Sequence, residues 1–312
     1  MLANLLSHVK ESPPVSAARP TSPRWYHGWA PLLFLPAAVF LLVPADWPRW
    51  AFMWLVAFAI YVGCKWLTWR RTPAPDAPLW RHAAYLLAWP GLDANAFLNG
   101  DRDQAKPPNA DEWLFAIAKT AFGIGVLYAV TPLLPADKPY LVGWVGMVGL
   151  IFTMHFGAFH LLACAWRTLG VPAKPLMHWP IAATSVSDFW GRRWNTAFRD
   201  LTHRFLFRPI AARVGPRSAG FAGFALSGLI HDLVISVPAG GGDGGPTAFF
   251  TIQGLALLAE RTQASKRLGL GSSWGARLFT ALVLIGPAPL LFHPPFVERV
   301  IVPFLAIVGA IQ

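Results

Sequence analysis

The chain has 312 residues, of which 55% are hydrophobic and only 13% are charged. Soluble domains carry about 25% charged residues, so this composition argues against a large soluble helical protein. The formal net charge of +11 does not indicate nucleic-acid binding here, because the positive residues lie between apolar runs. We predict an all-α, polytopic membrane protein embedded in the lipid bilayer, with its basic loops in the cytosol.

The first 24 residues are polar, rich in Pro and Ser, and contain Lys10, Arg19 and Arg24. They lack the apolar stretch that follows the basic start of a cleaved signal peptide. We therefore predict a disordered cytoplasmic tail over residues 1–24. Residues 25–312 are expected to form a single integral membrane domain.

About eight apolar runs approach the roughly 20 residues that cross a bilayer. They are Trp29–Pro44, Trp50–Trp66, Trp113–Leu134, Tyr140–Trp166, Ala219–Val237, Pro246–Ala259, Ala276–Phe292 and Phe296–Ile311. Eight spans place both termini and all strongly basic loops in the cytosol, and we expect a bacterial inner membrane. Seven or nine spans remain alternatives. The shorter apolar stretch at 79–98 predicts an interfacial or re-entrant helix.

The region 167–217 is strongly basic and contains a tryptophan-rich segment. Ser187 or Asp188 is predicted to cap a helix that runs to about residue 206, with apolar residues on one face. Arginines on such a helix can pair with anionic lipid headgroups. That explanation accounts poorly for Gly191 and Asn195, which a lipid-binding helix does not need.

A histidine lies within the apolar run Ala219–Val237, and an ionisable residue inside a span indicates a functional site. His231 follows Ser227 by four residues, so the two share a helix face. A serine nucleophile is disfavoured, because side chains of one helix rarely approach head-on; Ser227 is expected to bond a carbonyl or line a cavity. His231 itself is either a packed core histidine or a general base, for which a neutral imidazole is suited.

Other polar residues in the apolar runs offer weaker signals. Cys64 and Cys164 have no metal-ligand spacing, and His155 and His160 are five residues apart, so they do not share a helix face. We predict no metal site and no bound cofactor. A formal match to a dinucleotide-binding motif within 240–245 follows no strand and predicts only a flexible loop.

Two segments together resemble a known family. Residues 188–195 read Asp-Phe-Trp-Gly-Arg-Arg-Trp-Asn, and residues 227–232 read Ser-Gly-Leu-Ile-His-Asp. With parts of 156–183 and the run 88–93, they resemble the wax synthase-like branch of the membrane-bound O-acyltransferase (MBOAT) family. The resemblance covers about residues 80–235.

This resemblance implies a helical funnel in the membrane and transfer of an acyl group from acyl-CoA, a co-substrate, to a hydroxyl. The acceptor is expected to be lipid-like, with a long-chain alcohol as the first candidate. His231 matches the catalytic histidine and Asn195 the second family residue. Many relatives carry Glu where this chain has Asp232. The predicted substrate contacts are Asp188, Trp190, Arg192, Arg193, Trp194, Arg199, Ser227 and Asp232.

A second class of protein suits the same pattern. A lipid or small-molecule transporter, or a flippase, also needs a polar cavity among apolar spans. The two classes differ in their products, because only an enzyme makes an ester and free CoA from acyl-CoA.

Overall fold

The computed structural model describes residues 26–263 and 274–312, so the predicted tail at 1–24 lies outside the described residues. Within those two ranges all regular secondary structure is helical. The helices are α1 (Ala30–Leu42), α2 (Arg49–Arg70), α3 (Leu79–Ala88), α4 (Ala94–Asn99), α5 (Ala110–Leu133), α6 (Pro139–Thr168), α7 (186–193), α8 (196–214), α9 (Pro216–Ala239), α10 (Gly245–Glu260), α11 (Trp274–Leu291) and α12 (294–307).

Five described helices are long and apolar enough to cross a membrane, namely α2, α5, α6, α9 and α11. This agrees with an integral membrane protein. Helices α1, α10 and α12 coincide with the other three predicted spans but are shorter. At 1.5 Å per residue, the 16 residues of α10 extend about 24 Å, less than the roughly 30 Å hydrocarbon core. The predicted count of eight spans is therefore not confirmed.

Small residues let these helices approach closely. A Cβ atom added at Gly123 of α5 would lie 2.4 Å from the Thr153 nitrogen of α6, and one at Gly228 of α9 would lie 2.7 Å from the Thr247 Cα of α10. Such contacts are a main source of helix association in lipid, where the hydrophobic effect does not drive it. The second contact holds the histidine helix directly against α10.

The stretch predicted as an interfacial or re-entrant helix forms two helices, α3 and α4, with a break at Trp89–Asp93. Its inner face is buried in the protein: Tyr85 is 0% and Phe97 1% exposed, whereas Leu87 on the opposite face is 87% exposed. The buried ammonium of Lys65 on α2 donates to the carbonyls of Trp89 and Gly91. This lysine fixes the break, because those carbonyls have no helical partners there.

The helix predicted from Ser187 or Asp188 to about residue 206 is wrong in its cap and in its continuity. Ser185 is the cap, and its hydroxyl accepts the Asp188 amide at 2.9 Å. The helix then breaks at Asn195, whose φ of 40° is left-handed, and a new helix, α8, continues to residue 214. Local capping rules do not reveal this break, since it depends on what the segment contacts.

Candidate active site

His231 lies on α9 at the point where the regular helix gives way to a wider π-turn over Asp232–Ser236. Its Nδ1 atom is 2.6 Å from the carbonyl oxygen of Ser227. A carbonyl oxygen only accepts, so Nδ1 carries the proton and Nε2 is the unprotonated nitrogen of a neutral ring. Within the described part of the chain, Nε2 has no hydrogen-bond partner. The ring is therefore oriented as a base.

Ser227 was predicted to bond a carbonyl or to line a cavity. The structure shows a different contact, in which the Ser227 backbone carbonyl holds the imidazole of His231. The histidine proton points at this carbonyl and not at a hydroxyl. The geometry therefore does not support a serine nucleophile at Ser227 that is activated by His231.

One face of α10 connects the histidine to the tryptophan-rich segment. Phe250 lies 4.4 Å from the His231 ring and 5.6 Å from the Trp190 ring, measured between centroids. The Trp190 indole donates to Gln253 Oε1 at 3.2 Å. At the end of α10, Glu260 accepts the amides of Val186 at 2.5 Å and Ser187 at 3.0 Å. Helix α10 therefore sets the distance between the two predicted motifs.

The sequence analysis missed these α10 residues. Gln253 is fully buried and its amide also donates to the Val283 carbonyl at 2.7 Å. A glutamine in the middle of an apolar run is costly in lipid, so the run Pro246–Ala259 contained a signal for it. Phe250 had no such signal, because phenylalanine is common in any span.

Asp188 organises the arginines of the motif. It is 3% exposed and accepts from Arg193 Nε at 2.6 Å and from Arg192 Nε at 2.9 Å. Burial raises the pKa of Asp188, but the Arg193 hydrogen bond, the Thr184 amide and the two guanidinium charges outweigh it and hold the pKa below its usual range. The carboxylate stays ionised and fixes both arginines.

The two arginines then face different surroundings. The Arg193 side chain is 22% exposed and also donates to the Trp179 carbonyl at 3.2 Å. The Arg192 side chain is 76% exposed. Arg193 is thus committed to holding the segment together, whereas the outer edge of Arg192 is open to a ligand.

Asn195 occupies the break between α7 and α8. Asparagine tolerates the left-handed backbone better than most residues, which is one reason for its presence. Its carboxamide has no hydrogen-bond partner among the described residues, and its backbone N–H contacts the Met177 sulfur at 3.1 Å. The neighbouring Trp194 ring stacks on Phe189, with centroids 5.5 Å apart. The neighbouring residues therefore fix the position of Asn195, and its side-chain carboxamide makes no hydrogen bond within the described residues.

A cavity of about 570 Å³ lies beside this break. Its lining contains three basic side chains, Lys174, Arg192 and Arg199, and two carboxylates, Asp93 and Asp200, together with His178, Trp89 and Thr196. Arg199 is fixed at this rim, since it donates to the Gly191 carbonyl at 2.7 Å and to Asp200 at 2.8 Å. Of the three arginines predicted to contact the substrate, Arg192 and Arg199 line the cavity and Arg193 does not. Lys174 and His178 were not predicted.

Asp232 is fully engaged by the protein itself. It accepts from the Ser236 hydroxyl at 2.8 Å, the Gly244 amide at 2.9 Å, and both the amide, at 3.1 Å, and the hydroxyl of Thr247. The Gly244 and Thr247 donors lie at the start of α10, where a carboxylate is stabilised by the unpaired amides of a helix N-terminus. A direct contact between Asp232 and a substrate stays a prediction.

The described residues bring Glu112, His160 and Cys164 within 4.8 Å of one another, close enough to share a metal ion. The same groups are already held by two cations of the protein. Arg167 donates to Glu112 and to the Cys164 sulfur, and Lys119 lies 2.7 Å from His160 Nδ1. The two cationic side chains at these groups would repel a metal cation, so the cluster fits an ion-pair network better than a metal site.

Residues 173–252 match the membrane bound O-acyl transferase family. This segment contains both predicted motifs and the first part of α10, and it confirms the resemblance stated from the sequence. The match stops short of the α11 and α12 helices.

Similarity to individual proteins also covers only part of the chain. The chain is 30% identical over 152 residues to a long-chain-alcohol O-fatty-acyltransferase of Simmondsia chinensis, covering 43% of this chain and 41% of that protein. It is 31% identical over 149 residues to the probable long-chain-alcohol O-fatty-acyltransferase 7 of Arabidopsis thaliana, covering 42% of each. An acyl-CoA–sterol O-acyltransferase of Arabidopsis thaliana matches at 34% over 68 residues, 20% of each chain. The chain thus matches about two fifths of the length of the first two relatives.

Proposed function

We propose that this protein is an integral membrane O-acyltransferase that moves an acyl group from acyl-CoA to the hydroxyl of a lipid-like acceptor. The observation that carries the proposal is the orientation of His231. Its proton is fixed on Nδ1 by the Ser227 carbonyl, so the unprotonated Nε2 is free to accept a proton from an alcohol. The ring lies in a segment that matches an acyltransferase family.

The proposed reaction is a direct transfer. His231 Nε2 takes the hydroxyl proton as the alcohol oxygen attacks the thioester carbonyl. The C–S bond then breaks, the new C–O ester bond remains, and the imidazolium returns the proton to the CoA thiolate. The products are an ester and free CoA, and the histidine ends neutral, as it began. A neutral imidazole held in one tautomer is the form that such a general base requires.

Asn195 is assigned to the thioester. Its unpartnered carboxamide can donate to the oxygen of the thioester carbonyl, on which negative charge develops. One such donor contributes about 3 kcal/mol to the barrier in other enzymes. The chain of contacts through Trp190 and Phe250 supports a shared site for Asn195 and His231.

The basic cavity is assigned to the CoA moiety. Arg192, Arg199 and Lys174 present cationic groups to a space of about 570 Å³, and guanidinium groups bind phosphate oxygens in pairs. Thr196, the residue after Asn195, lines this cavity, and in this proposal the pantetheine arm, which separates the phosphates from the thioester, runs from the cavity past Asn195. The segment that carries Arg192 is held in place by four residues that do not line the cavity, namely Asp188, Trp190, Arg193 and Trp194.

The acceptor and the membrane topology complete the proposal. Two relatives are named for long-chain alcohols and one for sterols, and a long-chain alcohol is our first candidate here. We further propose a funnel of eight spans in a bacterial inner membrane, with both termini in the cytosol. The short helices α1, α10 and α12 then serve as spans where the bilayer is locally thin.

The test is a search for the product. The chain is expressed in a host that lacks wax esters, supplied with a long-chain alcohol, and its lipids are analysed by mass spectrometry. We expect a new ester and, in isolated membranes, release of CoA from labelled acyl-CoA, neither of which appears with His231→Ala at equal expression. Accumulation of unmodified alcohol without any ester would instead indicate a transporter.

A further inference from the structure

A hydrogen-bonded chain of Asp232, Ser236 and His293 joins α9 to the start of α12. The Ser236 hydroxyl donates to Asp232 Oδ1 at 2.8 Å and lies 3.2 Å from His293 Nε2. His293 Nδ1 accepts the Phe296 amide at 3.2 Å, so the proton of the neutral ring is on Nε2 and points at Ser236. Ser236 is 0% and His293 6% exposed. The chain is therefore shielded from solvent.

The glycine-rich loop between α9 and α10 is built around this histidine. Gly242 has a φ of +82°, and a Cβ there would lie 2.3 Å from His293 Nδ1. The loop is also held from outside, since Arg49 donates to the Pro238 carbonyl at 3.1 Å and Arg299 to the Gly240 carbonyl at 3.0 Å. The loop was predicted to be flexible, but its glycines instead make room for side chains that clamp it.

The hydrogen-bonded chain of Asp232, Ser236 and His293 also fixes the start of α10. Asp232 binds the Gly244 and Thr247 amides, while Ser236 fixes one oxygen of that carboxylate. One helical turn further, Phe250 contacts the His231 ring. A shift of the first turn of α10 therefore moves the surface against which the imidazole rests.

We infer that Ser236 and His293 are positioning residues for His231, acting through Asp232 and the first turn of α10. This inference rests on the proposed function, in which His231 is the base. Neither residue touches the imidazole. Their role is to hold Phe250, and with it the ring, in one place, and small displacements of reacting groups are costly in enzymes.

The test compares three variants. Ser236→Ala removes the central hydroxyl, and Gly242→Ala pushes on His293 from the other side of the network. Thr280→Val is the matched control, because it removes a buried hydroxyl, 2% exposed and bonded to the Ala276 carbonyl of its own helix. We expect both network variants to lower kcat about tenfold with KM for acyl-CoA within about twofold, and the control to keep kcat at an equal loss of Tm.

A conservative exchange adds a rescue. His293→Gln keeps an N–H donor for Ser236 and is expected to retain more kcat than His293→Ala. If Ser236→Ala and Gly242→Ala lower only Tm, as Thr280→Val does, the network holds the fold and does not position His231.

A second readout does not depend on turnover. Ring ¹⁵N spectra of labelled histidine, with the His231 signal assigned by its absence in His231→Gln, report the tautomer of that ring. We expect Ser236→Ala to weaken the single Nδ1-protonated pattern and Thr280→Val to preserve it. If the parent chain makes no ester but Ser236→Ala changes the His231 pattern, the proposed function alone is overturned. If the parent chain is active and Ser236→Ala leaves the pattern unchanged, the positioning role alone is overturned.

Discussion

Around His231 the contacts are to backbone groups and rings, whereas the segment that leads to Asn195 is held by ion pairs. The imidazole is held by a carbonyl and by Phe250. The segment before Asn195 is held by Asp188 and two arginines. Neutral partners leave one nitrogen of the histidine unprotonated, and the ion pairs leave the outer edge of Arg192 exposed.

Under the proposed function, this difference assigns a separate task to each of the two regions. A base needs an uncharged ring in one tautomer, which charged neighbours would disturb. An anion site needs fixed positive charge at a boundary with water. Helix α10 contacts both regions and fixes their relative position, through Phe250 and Gln253 and through Glu260 at its end.

The largest effect is expected at the base. His231→Gln preserves size and hydrogen bonding but removes the basic nitrogen, so kcat should fall by about 10³-fold with little change in KM for acyl-CoA. Ester formation in detergent-solubilised protein of unchanged Tm measures this. Activity within tenfold of the parent chain would remove His231 from the chemistry.

Asn195 is expected to come next. Asn195→Gly retains the left-handed backbone and removes only the carboxamide, so kcat should fall about 100-fold. Lys106→Gly is the matched control, since Lys106 also has a left-handed φ, of 41°, and lies outside the site. Equal kcat in the two variants would mean that Asn195 serves the backbone alone.

Loss of the Asp188 charge should mainly lower the free energy of unfolding. Asp188→Asn leaves the half-buried Arg193 without its carboxylate and is expected to lower the free energy of unfolding by about 2 kcal/mol. Arg192→Ala, whose side chain is 76% exposed, should lower it by less than about 1 kcal/mol. Thermal unfolding of the purified variants measures both, and equal losses would contradict the division between the two arginines.

For the affinity for acyl-CoA, Arg192 is expected to matter more than Arg193, the reverse of their order in stability. Arg192→Ala is expected to raise KM for acyl-CoA about tenfold, because a charge-assisted phosphate contact is lost. The increase should shrink at high salt, where exposed charges are screened. Arg193→Lys keeps the charge away from the cavity and should leave KM unchanged. An unchanged KM in Arg192→Ala would favour lipid headgroups as the partners of this arginine.

The smallest effect is the acid sensitivity of Asp188. Its pKa is held below the usual range, so its contribution to stability is complete above the unfolded pKa of about 3.9. It is lost as the pH falls through the lower folded value. Tm should therefore be constant from pH 7 to about 5 for this group and fall below about pH 4, less steeply in Asp188→Asn than in the parent chain.

Much of the fold was predictable because its determinants are local. Apolar runs set the approximate bounds of α2, α5, α6, α9 and α11, each within a few residues of prediction. The bounds of the shorter helices α1, α10 and α12 also lie within a few residues of prediction, but their role as spans is not confirmed, because they are shorter than the hydrocarbon core. The break at Asn195 was missed for another reason: the left-handed residue is stabilised by Trp194, Met177 and the rings around them.

By itself, the sequence determined that the chain is helical and apolar, that a histidine lies inside a span, and that a basic, tryptophan-rich segment precedes it. These features follow from residue type and spacing. Only the tertiary structure decided which nitrogen of His231 is free, which arginines reach the cavity, and that α10 connects the two regions. The first of these follows from the Ser227 carbonyl one helical turn away, but the connection through α10 depends on partners distant in the chain, such as Glu260 with Val186 and Gln253 with Trp190, whose contacts no local pattern encodes.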